Sequence, residues 1–289
     1  MTPILEVKNL TYAYGGNTPF VNDAVSDVSF TVKSGEIIGI IGHTGSGKST
    51  LVQQLNGLLK PTDGSVLFEG KDIWENPKEI RKIRSKIGLV FQYPEYQLFE
   101  DTVFADIAFG PKNMGLSGEE LEKRVYEICE LIGIKGEYLD KSPFDLSGGE
   151  KRRVAIAGVM AMRPQVIIFD EPIAGLDPKG RSDVLKMIKD YLTAYNATVI
   201  IISHNMEDMA LIADRLIVMN DGKLVAFDDT EKIFLQPQML RSIGLNVPIV
   251  TRVFEALKAK GYNVPSDIFT VEAAVEYLMR CQREGGSND

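Results

Sequence analysis

Apolar and polar residues alternate from Ile4 to Leu10 and again from Val28 to Val32, the period-2 signature of strands with one buried face. Three other stretches, Ile37–Ile41, Val166–Phe169 and Val199–Ile202, are unbroken apolar runs, as parallel strands buried on both faces require. Helical patterns occupy Lys48–Leu59, Gly118–Ile132, Gly148–Met162 and Lys179–Tyr195, so strand and helix alternate as in an α/β domain. Asp63-Gly64, just ahead of Val66–Phe68, predicts a local hairpin turn, and Asp221-Gly222 joins two further short strands, Leu216–Met219 and Leu224–Phe227. The α/β pattern ends near Asp229. Beyond it come short helices broken by Pro237, Pro248 and Pro265, with Thr270 as an N-cap and Val271, Ala274, Val275 and Leu278 on one helix face. That stripe would dock on its own domain or on a partner chain, and the polar tail Glu284–Asp289 is expected to fray.

Length and composition narrow the class. The chain has 289 residues, 44% of them hydrophobic, enough for one large domain or one domain with a small appendage. Its net charge of −8, without a block of like charges, leaves no electrostatic footprint for nucleic acid and no basic membrane-binding face. The longest apolar runs, within Glu36–Gly42 and Ala197–Ser203, fall far short of the roughly 20 residues that span a bilayer. Met1–Asn9 mixes charged with apolar residues and lacks the apolar stretch of a secretory signal, so the chain is expected in the cytoplasm. Cys129 and Cys281 have no metal-site or disulfide spacing and read as buried or half-buried thiols.

The chemistry concentrates at strand ends. Gly42-His43-Thr44-Gly45-Ser46-Gly47-Lys48-Ser49, followed by Thr50, leaves the run Ile37–Ile41 and opens a helix, the context that the phosphate-binding P-loop demands. Glycines let successive N–H groups point inward, the helix start adds partial positive charge, Lys48 reaches the outer phosphates and Ser49 offers a hydroxyl to Mg²⁺. His43 has no assigned task in the loop. Val166–Phe169 ends in Asp170-Glu171, at the sheet edge where α/β proteins bind ligands. Beside a P-loop, Asp170 is expected to hold Mg²⁺, and Glu171 to orient and deprotonate the water that attacks the γ-phosphate.

Leu146-Ser147-Gly148-Gly149-Glu150 resembles the signature segment of ABC ATPases. The resemblance implies an α/β fold of ABC type: a RecA-like core carrying the P-loop, an N-terminal antiparallel β subdomain, a helical signature subdomain and a small C-terminal helical appendage. It divides the chain into an ATP-binding domain, 1–230, with its helical subdomain at about 93–163, and a C-terminal helical domain, 231–289, that would contribute to dimerisation. In this family Ser147, Gly148 and Gly149 form a second anion-binding helix start that faces the nucleotide of another protomer, because one chain cannot fold both helix starts onto its own phosphates. Further matches follow in the family's order. Gln92 corresponds to the glutamine that contacts Mg²⁺ and the attacking water, Asp177 in Ala174-Gly175-Leu176-Asp177 to the loop crossing the dimer interface, and His204 to the γ-phosphate contact. Tyr14 is the expected adenine platform, with Tyr12 as the alternative, while Arg152 and Arg153 read as solvated surface residues.

Phe91-Gln92-Tyr93-Pro94-Glu95-Tyr96-Gln97-Leu98-Phe99, continuing through Thr102-Val103 to Asp106–Pro111, resembles the energy-coupling factor and cobalt-type importers. The segments Ser142–Phe144, Arg152–Gly158 and Ala174–Arg181 are similar to the second of the two ATPases in such modules. The likeness covers nearly the whole chain and departs from the usual pattern at Ile173, where threonine is frequent, and at Glu150, where glutamine is frequent. It implies an ATPase on the cytoplasmic face of a membrane that drives uptake of a vitamin or transition-metal ion. Its partners would be a sibling ATPase, or a second copy, together with a transmembrane coupling subunit and a substrate-binding membrane subunit. Leu98, Phe99, Val103 and Phe104 would floor the groove that receives a coupling helix. Chromosome-associated ATPases share the signature but are split by long coiled coils, and translation-factor relatives carry two ATPase domains in one chain. Neither feature is present in this sequence.

Overall fold

The computed structural model describes residues 3–15 and 22–285. Two sheets organise the chain. A four-stranded antiparallel sheet has the order β2-β1-β4-β5, built from β1 (Leu5–Tyr14), β2 (Asn22–Val32), β4 (Asp63–Phe68) and β5 (Lys71–Asp72). A six-stranded sheet has the order β10-β9-β3-β8-β7-β6. Its members are β3 (Ile37–Ile41), β6 (Ile87–Val90), β7 (Val166–Asp170), β8 (Thr198–Ile202), β9 (Arg215–Asn220) and β10 (Lys223–Asp229). All of its pairs are parallel except the edge hairpin β9–β10.

The unbroken apolar runs are explained by which face each residue meets. On β3, Ile37 and Ile41 belong to one core cluster while Ile38 and Ile40 belong to another, and Val199/Ile201 against Ile200/Ile202 on β8 divide in the same way. The second cluster fills the space between this sheet, the antiparallel sheet and α1 (Lys48–Leu55). The first lies under the helices: α3 (Val103–Asn113), α4 (Gly118–Ile132), α5 (Gly148–Met160), α6 (Pro178–Tyr195) and α7 (Met206–Ile212). A short α2 (Ile80–Lys86) leads into β6.

Several boundaries move from their sequence positions. Helix α1 ends four residues earlier than its pattern, because Gly57 takes φ 74° just past the cap Asn56 and the chain turns there. Asp63-Gly64 is not a hairpin turn. Both residues lie in β4, where Gly64 at φ 78° sits in a bulge and a Cβ would lie 2.3 Å from the carbonyl of Asn9. The hairpin turns instead at Glu69-Gly70, with φ 51° and 80° and the flanking pair Phe68↔Lys71. The turn at Asp221-Gly222 forms as its sequence requires.

After β10 come α8 (Thr230–Phe234), α9 (Pro237–Ser242), α10 (Ile249–Ala259) and α11 (Val271–Gly285). Ile233, Phe234, Leu240, Leu245, Val247 and Phe269 join the core cluster under the main sheet's helices, whereas Phe254, Ile268 and Ala274 form a small cluster of their own. Thr270 caps α11 by accepting from the Ala273 N–H at 3.2 Å. Of the α11 stripe only Ala274 is buried; Val271, Val275 and Leu278 are 63%, 49% and 53% exposed. The tail beyond residue 285 lies outside the described residues. No described helix is long and apolar enough to cross a membrane.

The two cysteines part company. Cys129 is buried on α4, where desolvation pushes its thiol up to about 11, but Cys281 on α11 is exposed, against the expectation of two sheltered thiols. A maleimide label at neutral pH should therefore take one site on the native protein, Cys281, and both after unfolding, which mass spectrometry of labelled peptides would establish.

Candidate active site

The parallel strands deliver the predicted residues to one edge of the sheet. Past β3 the P-loop closes around its own lysine: Lys48 Nζ donates to the carbonyls of Gly42 and His43 at 2.9 and 2.8 Å. Lys48 is buried, and desolvation lowers its pKa despite the opposing charges of Glu171 and Asp170. Two glycines are sterically required. A Cβ on Gly42 would lie 2.5 Å from both Ser46 Oγ and the Met219 carbonyl oxygen, and one on Gly47, at φ 95°, would lie 2.2 Å from the Ala24 carbonyl oxygen. Gly45 also takes positive φ, at 85°, facing open space. Ser46 is fully buried in the loop, while Thr44 and Ser49 are exposed. His43 is given a task that the sequence did not assign. Its ring contacts the Thr44 carbonyl at 2.8 Å and Asn220 Oδ1 at 3.0 Å, tying the loop to the β9–β10 turn.

At the end of β7, Asp170 accepts a hydrogen bond from Ser49; burial is the larger influence and raises its pKa, with the Glu171 charge adding to it. The next residue, Glu171, sits at φ 50°, a left-handed backbone that costs a side-chain-bearing residue ~1–3 kcal/mol and is characteristic of functional sites. Two partners converge on its carboxylate. Gln92, following β6, donates from Nε2 to Glu171 Oε2 at 3.0 Å, and Nε2 of His204, following β8, meets Glu171 Oε1. Thus Gln92, Glu171 and His204, more than a hundred residues apart end to end, form one cluster beside Lys48, Ser49 and Asp170. Tyr14 stands at the P-loop helix, its hydroxyl 3.3 Å from Thr50 Oγ1 and its ring 44% exposed. Tyr12 packs against the core, which leaves Tyr14 as the available ring.

Ser147, Gly148 and Gly149 are not part of this cluster. They are exposed at the start of α5, where the Glu150 carboxylate accepts from the Ser147 N–H at 2.9 Å and its hydroxyl at 2.6 Å. This capping box holds the Glu150 carboxyl down to about 2, chiefly through the Ser147 hydrogen bonds. Asp177 caps α6 by accepting from the Gly180 N–H at 2.8 Å. Ile173 is buried in the core.

Arg152 corrects the sequence expectation. It is 4% exposed rather than solvated, and it grips both carboxylate oxygens of Glu95, at 3.0 and 2.8 Å. Burial opposes the charge on Glu95, but the arginine outweighs it and holds the carboxyl below its ordinary range. No periodicity marks such a pair, whose members stand 57 positions apart; only their opposite charges could have raised the question. Arg153 is half-buried. The groove beside the segment after Gln92 exists, with a volume of about 1150 Å³. Of its expected floor, Leu98 and Phe99 line it, but Val103 is fully buried and Phe104 packs on the core, and Phe109, Met114 and Met162 take their place.

A P-loop and a paired carboxylate at the ends of parallel strands, with an antiparallel sheet on one side and a helical region carrying an exposed glycine-rich helix start, define an ABC-type ATPase. Comparison with known proteins agrees. The "ABC transporter" family model matches residues 25–174. An energy-coupling factor transporter ATP-binding protein EcfA2 from Caldanaerobacter subterraneus subsp. tengcongensis is 52% identical over 96% of this chain and 98% of its own length. The EcfA2 of Clostridium tetani is 50% identical, with 98% and 99% covered. Among solved structures, CbiO1 of Clostridium perfringens, part of the ABC transporter complex CbiONQ, superposes with a TM-score of 0.75 at 38% identity, covering 88% of this chain and all of that one. The ATP-binding cassette MJ0796, solved as a post-hydrolysis dimer with ADP and Pi, gives 0.70 at 30%, covering 78% of this chain and 98% of its own. The chain belongs to the ABC transporter family and, within it, to the energy-coupling factor transporter ATP-binding proteins.

Gly47 is the position where the site has least tolerance. Gly47→Ala forces both a disfavoured φ and a clash with the β2 backbone, so ATP affinity should fall about tenfold or more, ~1.4 kcal/mol, in a direct binding titration.

Proposed function

We propose that this chain works as one half of a pair of ATPases that close around two ATP molecules and thereby drive an importer. The observation that carries the reading is the exposed start of α5. A Cβ on Gly148 or Gly149 would meet nothing within 4 Å in its own chain, although glycine in place of alanine costs a helix up to about 1 kcal/mol. Bare backbone N–H groups there are useful to a phosphate arriving from outside. The γ-phosphate held by a partner's P-loop fits that description, and Asp177 would meet the same partner. The dimeric state of MJ0796 with ADP and Pi supports the arrangement.

In this reading Lys48 and the amides of residues 42–50 hold the phosphates, and Tyr14 stacks on adenine. Glu171 takes the proton of the attacking water, which Gln92 orients, and His204 contacts the γ-phosphate. The site fits Mg²⁺: Ser49 and Asp170 present hard oxygen ligands in mutual contact, and Mg²⁺ binds through one or two carboxylates together with substrate phosphates. Gln92 would complete that set, and the ion would neutralise phosphate charge. Burial raises the pKa of Asp170, and such a cation would favour its ionised form.

The exposed groove with Phe99 at 57% and Phe109 at 44% exposure suits an amphipathic helix of a membrane subunit, as expected from the EcfA2 relatives and the CbiONQ assembly. That contact would hold the chain peripherally at the cytoplasmic membrane face, and the cargo would be a micronutrient bound by a separate membrane subunit. The division into 1–230 and 231–289 belongs to the same reading, with the uncovered apolar face of α10 and α11, Ile249, Val253, Val271, Val275 and Leu278, turned toward a sibling ATPase or a second copy.

Two variants test the chemistry and the shared site. Glu171→Gln should keep ATP binding, lower kcat about a hundredfold or more and accumulate the closed dimer on size-exclusion chromatography; normal turnover would remove Glu171 from the base role. Ser147→Arg should leave ATP binding to its own P-loop intact while abolishing hydrolysis at the partner's site. Unchanged ATPase activity of the assembled complex would defeat the shared-site arrangement.

A further inference from the structure

All three guanidinium nitrogens of Arg152 donate hydrogen bonds. Besides the paired bonds to Glu95, Nη1 donates to the carbonyls of Pro172 and Ala174 at 3.3 and 2.8 Å, and the group lies 5.8 Å from the centroid of the Tyr93 ring. Fold stability alone gives little reason for such a group. Helix α5 is already anchored by Val154, Ile156, Ala157 and Met160, and a buried ion pair gains little over apolar residues of the same volume.

What distinguishes the contacts is where they lie in the chain. Glu95 follows Gln92 in one loop, and Pro172–Ala174 directly follow Glu171 in another. The two loops meet just past their strands through the Gln92–Glu171 hydrogen bond and again further along through Arg152. Glu171 is also the residue at φ 50°, a conformation that persists only where its surroundings over-determine it. The carbonyls held by Nη1 belong to the turn that constrains it, which is closed further by the Ala174 N–H donating to the Glu171 carbonyl at 3.2 Å.

We propose that Arg152 is a positioning residue for ATP hydrolysis: one guanidinium, carried on the signature helix, holds the Gln92 loop and the Glu171 turn in register and passes movement of that helix to both. The proposal rests on the catalytic roles given above to Gln92 and Glu171. Arginine suits the task because its planar fork engages a carboxylate with two donors and keeps another for carbonyls; a lysine offers a compact point charge without that fixed geometry.

The test is a mutant cycle on the full-length chain, assembled with the subunits that copurify with it, using Q92A, R152Q, R152K, E95Q and the double variant Q92A/R152Q. The readouts are kcat and KM for ATP, the Kd of a non-hydrolysable ATP analogue, and Tm. R152Q should lower kcat about tenfold or more while Kd stays within about threefold, R152K should recover part of the loss, and E95Q should act in the same direction. In the Q92A background R152Q should cost a smaller fold-loss than in the wild type, because one of the two groups it positions is already gone. An unchanged kcat in R152Q, or equal fold-losses in both backgrounds, would overturn the proposal. Should R152Q fail to fold, E95Q and Q92A/E95Q give the same cycle with the guanidinium retained. If Q92A itself keeps full kcat, the role of Gln92 falls and takes this proposal with it, a result distinct from one in which Q92A is slow and R152Q is not.

Discussion

The carboxylate of Glu171 is held where three loops from three adjacent strands meet, and the order of the parallel sheet makes that meeting possible. β6, β7 and β8 are neighbours, so the residues just past their ends, Gln92, Glu171 and His204, come together although they are far apart in sequence. β3 lies on the other side of β8 and brings the P-loop and Lys48 to the same edge. A different strand order would keep every element and lose the site. The fully buried faces of these strands, Ile and Val at almost every position, fix that order by packing on both sides, so the chemistry inherits its geometry from the core.

The helical side of the molecule works differently. Its signature residues do not face the cluster but solvent, and the local structure there is complete: Glu150 satisfies both Ser147 groups, leaving α5 well capped. The helix start is thus preorganised before any phosphate arrives, which lowers the ordering cost of forming a shared site. In the proposed shared site the Ser147 hydroxyl would exchange the Glu150 carboxylate for a phosphate as acceptor. Glutamine in place of Glu150 would compete for that proton less strongly, which gives the departure at this position a physical meaning.

Much of this was legible in the sequence, and the exceptions share a cause. P-loop, paired carboxylates, signature and buried strands all depend on contiguous residues, and local rules of turn and period capture them. Misplaced features depend on contacts between distant segments. Asp63-Gly64 has the composition of a turn, yet pairing with β1 makes it a bulge; Val103 looks like groove and is core because α3 rolls it under; Arg152 carries a surface residue's charge but meets Glu95 from another loop. Cys281 belongs to an amphipathic pattern, but nothing in a pattern tells which partner covers which side of α11.

The charges at the sheet edge would couple nucleotide and metal ion in the proposed site. Burial pushes Lys48 and Asp170 toward their neutral forms, and each is restrained by the other's charge. A triphosphate entering alone would favour the charged lysine but set its own negative charge against Asp170 and Glu171, at a dielectric well below that of water. Lys48 and the partial charge of the α1 start cannot balance that excess. A divalent cation held by Ser49 and Asp170 would offset part of that negative charge, leaving the Glu171 carboxylate free to act as a base. In the proposed site, binding of either ligand would therefore strengthen binding of the other, and by linkage to the same degree.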